Sequence, residues 1–375
     1  MKFFILLLLS KVKMQTYYVN YATGSDANVG SATKPFKTLA KISSGCTVYL
    51  HGSYYPNIVL SGLTDVTVLK DGVAKWPERA LPTGDTGFHT CYVSLTSCTG
   101  VKIAGMSVSQ SYFVADATFP KLTGKGVTLN LCAGCVIQNC EIFSFRDNTG
   151  WTAAQWNSWA NGVAVLITGG TGGNNIFNNH LFNSQGIQLK GNNNLADSNL
   201  VENTITDFSG LWSGGNTLSN NVFRNSYRVN GNHNDESQIG PKVSHCNILN
   251  NTFVAFTDPN QPFKDLAMQC VGAYDGSSYI TIKGNKIYGS HPIGIWCLGG
   301  VNNIIDQNEV FICCGQLWDP KRPPSISIQP SKSGGASKGN TVTNNKAPAY
   351  QIQTGSVTVQ SNNYDTTQKK FVTFA

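Results

Sequence analysis

Charge is what this sequence has least of. Asp, Glu, Lys and Arg together make up 13 % of its 375 residues, about half the usual share. Helices prefer Ala, Leu, Glu and Lys. A chain poor in charge and rich in Gly, with 38 of them, and in Asn, Thr and Ser suits short strands joined by many turns. No run of Lys or Arg exceeds two residues, although the net charge is +7, so no nucleic-acid groove is expected. The basic excess fits an acidic polysaccharide or unpatterned solubilising charge. Long apolar runs are missing too. Phe3 to Leu9, among Lys2, Lys11 and Lys13, is too short to span a bilayer and lacks a small-x-small cleavage site. No membrane association is expected. Residues 1–15 read as an unusual leader or as a start placed ahead of Met14. Cys132, Cys135 and Cys140 carry the spacing of a zinc half-site, but no second half-site follows.

What is present is a repeat. The order apolar, x, apolar, x, x, Asn, x, apolar recurs at NNIFNNHL, SNLVENTI, NTLSNNVF, CNILNNTF, ITIKGNKI, NNIIDQNEV, NTVTNNKA and VTVQSNNY. Its Asn falls at Asn179, Asn203, Asn221, Asn251, Asn285, Asn308, Asn345 and Asn362; Asp71, Met106 and Cys140 hold the place earlier. Gaps of 17–39 residues between anchors mean a constant core with loops of variable length. Alternating apolar residues around a turn-tolerant Asn describe one corner of a coil. Stacked coils pair every strand above and below and align the Asn side chains. The expected fold is all-β, a single-stranded right-handed parallel β-helix; evenly spaced hairpin turns, the mark of a sandwich, are missing. Residues 16–52 read as an N-terminal cap and entry strand, with a short capping helix over PFKTLAKI; 53–363 as the β-helix; 364–375 as a tail that caps the last coil or meets a neighbour. Cys98 and Cys132 share an offset in consecutive coils, as Cys135 and Cys246 share another. They read as buried thiols, with a Cys98–Cys132 disulfide within reach of stacked coils ~4.8 Å apart.

The densest polar cluster is YRVNGNHNDESQIG, Tyr227 to Gly240. Counting from Asn221 and Asn251 places Asp235 and Asp265 at equal offsets, roughly 5 Å apart if the turns match. Gln238 and Gln269 follow at nearly equal offsets, and Lys190 falls on the same wall. His233, Asp235, Lys190 and Arg228 are therefore the candidate acid–base groups. Asp235, Glu236 and Asp265 offer hard oxygens of the kind that hold Ca²⁺. Paired carboxylates also suit glycoside hydrolysis. The same residues could equally form a hydrogen-bonded turn. Between Cys140 and Asn179, TAAQWNSWA reads as a short helix with Trp156 and Trp159 on one face. Those rings either line a sugar-binding groove or pack back on the coils. Trp212 and Trp296, at similar offsets, are candidate sugar-stacking residues with Gln238 and Gln269. The segment Leu317 to Asn340, rich in Pro and Gly, reads as a surface loop.

YYVNYATGSDANVGSATKPFKTLAKI, TVYL and HGSYYPN resemble the entry segment of the pectate-lyase-like right-handed β-helix superfamily. HNDESQ followed by LAMQCVGAYDG is similar to the His-x-Asp-x-x-Gln element of some members. The resemblance implies an extracellular or virion-borne protein that binds a polysaccharide and cleaves it by β-elimination or hydrolysis. For a lyase it implies Lys, Arg or His as the base. The other expectation it carries is a non-catalytic phage tail or adhesin component, since MQTYYV is similar to the start of phage structural proteins. Homotrimers belong to that expectation, although no heptad or collagen-like stalk specifies one.

Overall fold

The computed structural model describes residues 14–71, 89–109, 126–229, 231 and 233–374; the expected leader at 1–13 lies outside them. Within that range the chain winds through three parallel sheets of 13, 12 and 11 strands. Each turn of the coil contributes one short strand to each sheet, and its neighbours in the sheet come from the turns above and below. The expected solenoid is the observed one.

The corner from the 13-stranded to the 12-stranded sheet explains the Asn pairs. Its first residue takes a left-handed conformation, as Asn178 (φ 53°), Asn220 (φ 55°), Asn250 (φ 54°) and Asn344 (φ 55°) do, which Asn tolerates better than most residues. The next residue is buried and builds a ladder. From Asn179 through Asn199, Asn221, Asn251, Asn285, Asn308, Asn345 and Asn363, each side-chain oxygen accepts the backbone N–H of its predecessor at 2.9–3.2 Å. Two anchors differ from the sequence reading. Asn199 and Asn363 hold the rungs assigned to Asn203 and Asn362, because NLADSNLV, not the overlapping SNLVENTI, sits at the corner.

Inside, like residues stack on like. Phe208, Phe223 and Phe253 form a column with ring centroids 5.8 and 4.8 Å apart, and Ile187, Leu189, Leu211, Ile239 and Ile295 are fully buried. Cys98, Cys132, Cys135 and Cys246 are buried free thiols. Cys132 donates to Leu95 O at 3.4 Å, so no disulfide joins it to Cys98.

Both ends are covered. At the N-terminus the expected helix is a single 3₁₀ turn, Leu39–Lys41, with Phe36 and Leu39 against the first coil. At the C-terminus Lys370–Val372 folds back antiparallel on Asn363–Asp365, closing one sheet edge. The segment read as one loop from Leu317 to Asn340 contains the strand Ser325–Gln329 of the 11-stranded sheet.

The expected helix in the long excursion is Ala153–Trp159, with a Thr152–Gln155 capping box. Its tryptophans do not line a groove. Trp156 is 2 % exposed and stacks on Tyr227 at 4.1 Å, while Trp159 leans on Phe145 and Trp151. An amphipathic seven-residue helix gains more by burying its rings than by exposing them. Trp156 and Trp159 thus pack in one cluster with Tyr227 and Val229 and are withdrawn from sugar binding.

Candidate active site

The outer face of the 11-stranded sheet carries the convergence of polar groups. Register sets two outward rows there. One runs Gln188, Gly210, Gln238, Gly272, Trp296, Ser327, Gln351. The other, two residues further along each strand, contains Lys190, Trp212, Gly240, Tyr274 and Gln329. Glycine makes the floor flat. A Cβ on Gly210 would lie 2.5 Å from Trp212 Nε1, one on Gly240 2.8 Å from Trp212 Cε3, and one on Gly272 2.7 Å from Tyr274 Cε2. The two aromatic rings therefore lie down on neighbouring backbone, presenting faces of the kind that sugar rings stack on. Trp212 is fixed by an Nε1–H bond to Gln188 Oε1 of 2.6 Å.

At one end of these rows Asp235 opens the strand Asp235–Ile239 and is 2 % exposed. Its backbone N–H donates to Asp207 Oδ1 at 2.9 Å, and His233 Nδ1 stands 3.5 Å from its Oδ1. The Tyr274 hydroxyl lies 3.1 Å from Asp235 Oδ2 and 3.1 Å from Gln269 Oε1. One phenol proton faces two acceptors. With Gln269 so oriented, both contacts are hydrogen bonds when Asp235 carries a proton and donates it to the phenol oxygen. Burial first, then the charge of Asp207 and, more weakly, that of Asp265, push the Asp235 carboxyl up to about 8, against the Tyr274 hydroxyl, whose hydrogen bond lowers it. Burial raises Asp207 to about 6, against the Asp235 amide that stabilises its anion. Asp265 is raised by burial too, opposed by the Ala267 amide and the Arg228 charge. Burial holds His233 below its usual range, so at neutral pH its imidazole is uncharged.

These positions resemble known architectures. A family model described as "Right handed beta helix region" matches residues 263–373. A rhamnogalacturonan lyase structure superimposes with a TM-score of 0.50 at 14% identity, covering 93% of this chain and 87% of that one. The Dettilon tailspike protein gives 0.50 at 15%, covering 85% and 60%. Pectate lyase Pel9A gives 0.42 at 12%, covering 94% and 80%. The chain is a right-handed parallel β-helix. No curated protein matches it in sequence, and at these identities the structural likeness is one of fold.

On this β-helix the sequence candidates separate. His233, Asp235 and Gln269 come together, with Arg228 nearby: its charge acts on both Asp265 and His233. Gln238 and Trp296 share one outward row and Trp212 lies in the next. Lys190 does not join them. It aligns with Gly240, five residues along from Asp235 and two coils away, some 16 Å along the strand at ~3.3 Å per residue. Asp265 does not stack on Asp235 either. Asp235 pairs with Gln269 and Gln238 with Gly272, because the turn after Asn251 is four residues longer than the turn after Asn221.

The expected Ca²⁺ trio fails on geometry. Glu236 is fully buried against Cys270 and near Cys313, away from the groove. Among the described residues no three His, Cys, Asp or Glu side chains are placed to hold a metal. Burial holds the Glu236 carboxyl well above its ordinary range. A raised folded-state value stabilises the protein fully below the unfolded value near 4.3, and that contribution fades as pH rises. Glu236→Gln is therefore expected to raise the Tm at pH 8 by roughly 2–6 °C, with little change at pH 4. Thermal melts at the two pH values read the difference directly.

Asp207, Tyr274, Lys332 and Gln188 are the neighbours of the candidate site that counting missed. Lys332 Nζ sits 6.0 Å above the Tyr274 ring and its charge opposes the rise in Asp235. A usable signal was present: Gly-x-aromatic recurs at Gly210–Trp212, Gly272–Tyr274 and Gly294–Trp296. Gly272→Ala is expected to lift Tyr274 off the sheet and off Asp235. The measured kcat on a cleaved glycan should fall on the order of 10²-fold, since small displacements at a reacting group cost that much. A drop confined to the Tm would contradict this role.

Proposed function

We propose that this β-helix hydrolyses glycosidic bonds in a polysaccharide bound along its 11-stranded sheet. The observation that carries the reading is a pair of carboxyls, Asp235 and Asp207, linked through the Asp235 backbone N–H at one end of an aromatic floor, with Asp235 the more strongly raised of the two. Between pH 6 and 8, set by about 6 for Asp207 and about 8 for Asp235, one is an acid and the other a base. That is the division of labour glycoside hydrolysis needs. Asp235 protonates the leaving oxygen, Tyr274 and Gln269 hold its proton in place, and Asp207 activates water or attacks the sugar carbon. Hydrolysis is preferred over β-elimination because Lys190, a candidate base, is remote and His233 is exposed and beside the acid. The fold-level likeness to glycan-acting lyases and to a tailspike supports a polysaccharide as the ligand and a place outside the cell or on a virion. The test is a panel of uronate-containing and neutral polysaccharides with product analysis. Hydrolysis yields new reducing ends without near-ultraviolet absorbance. An absorbing unsaturated uronate would instead assign a lyase.

A further inference from the structure

Beyond Tyr274 the groove deepens into a cavity of about 200 Å³, lined among others by His291, Trp296, Arg322, Ser327, Gln329 and Gln351. Nothing in the hydrolytic step uses it, yet it adjoins the site. Trp296 meets Tyr274 edge to face at 5.6 Å, and Tyr274 holds Asp235. The strands Ile293–Leu298 and Ser325–Gln329 that build it lie two and three coils beyond Asp235–Ile239. At ~4.8 Å per coil that is about 10–14 Å along the axis. The volume is below that of a drug-sized pocket and in scale with one sugar ring.

The lining is suited to an anion. Arg322 Nε is tied to Asp319 Oδ2 at 2.6 Å, which fixes the plane of the guanidinium. Its terminal nitrogens make no hydrogen bond to any described residue, and a planar fork matches a carboxylate bidentately. His291 Nδ1 accepts the Ile293 N–H at 3.2 Å, so the neutral ring offers Nε2–H. Gln329 spends its amide N–H on Gln351 O at 2.8 Å, leaving its oxygen to accept a sugar hydroxyl. Trp296 supplies a wall.

We propose that this pocket is a subsite for a uronic acid unit, whose carboxylate pairs with Arg322 two to three coils from Asp235. This rests on the reading of the groove as a glycan site and narrows the substrate to an acidic polymer. The experiment titrates the Asp235→Asn protein, by tryptophan fluorescence, with oligogalacturonate, oligoglucuronate and oligomannuronate and with their carboxyl-reduced forms. At least one uronate oligomer should bind roughly 10-fold tighter than its reduced form, in keeping with a charged hydrogen bond. Arg322→Met should erase that difference while leaving the reduced form within about twofold. Equal binding of acid and reduced forms, or a preference that survives Arg322→Met, overturns the subsite. A wild-type protein that shows the Arg322-dependent preference but cleaves nothing would retain the subsite and remove the hydrolase reading. Cleavage without any acid preference would do the reverse.

Discussion

Asp235→Asn is expected to lower kcat for glycan cleavage by on the order of 10²–10⁴-fold, the usual contribution of a positioned general acid. The variant keeps the shape of the carboxyl and its contact with the Tyr274 hydroxyl, so far-ultraviolet circular dichroism should be unchanged. Wild-type activity should follow a bell, rising as Asp207 ionises near about 6 and falling as Asp235 loses its proton near about 8. The two limbs belong to the coupled pair, and in the variant the alkaline limb disappears. Stability moves the other way. The folded value of Asp235, about 8, lies above the unfolded value near 3.9. Its stabilising contribution is complete below pH ~4 and is lost as pH rises through about 8. Asp235→Asn should therefore melt at a higher temperature than wild type at pH 8 and at about the same temperature at pH 4. A variant that lost activity and stability together would make Asp235 a structural residue instead.

Asn251→Ala is expected to be the most damaging substitution outside the groove. The Asn251 side-chain oxygen accepts from Asn221 N and Nδ2, both at 2.9 Å. Its nitrogen donates to Leu218 O at 3.0 Å and Asn285 Oδ1 at 3.1 Å. Every partner is buried, so truncation strands a backbone donor and a backbone acceptor at about 1–3 kcal/mol each. A total near 3–5 kcal/mol places it among the severe cases, read as a lowered urea midpoint with an unchanged slope. The neighbouring Asn250 makes a useful contrast. Its burden is the left-handed φ of 54°, so Asn250→Ala should cost only about 1–2 kcal/mol and Asn250→Gly less. Equal losses at the two positions would mean the ladder carries no special weight.

The repeat was legible because its causes are local. The αL-Asn corner, the alternating strand and the small or apolar inward residues each leave a mark within eight positions, and they recur. Even the slips at Asn203 and Asn362 were slips of a few residues within a correctly recognised coil. The excursion helix was legible for the same reason, from Thr152 to Trp159. Which way its tryptophans would face was not, since Tyr227 is their partner and lies far along the chain.

The site depended on distances that no local pattern encodes. His233, Asp235 and Gln269 were found because they are polar in a chain with few charges. Lys190 and Asp265 were misplaced because the path from the Asn corner to the 11-stranded sheet differs in length from coil to coil, and an offset of four residues is more than 13 Å of strand. Glu236 shows the sharper limit. One residue from Asp235, it is carried into the corner beside Cys270, so it shares a charge type with its neighbour and no chemistry. By itself, then, the sequence determined a stacked parallel coil with Asn at one corner and a polar cluster on one central turn, because short-range conformational preference and side-chain periodicity decide those. Only the tertiary structure decided that Asp207 and Tyr274 meet Asp235, and that three glycines let the aromatic rings lie flat. It also decided that Arg322 faces the same groove. Those contacts join different coils, and register between coils is set by turn lengths and packing rather than by any residue's own preference.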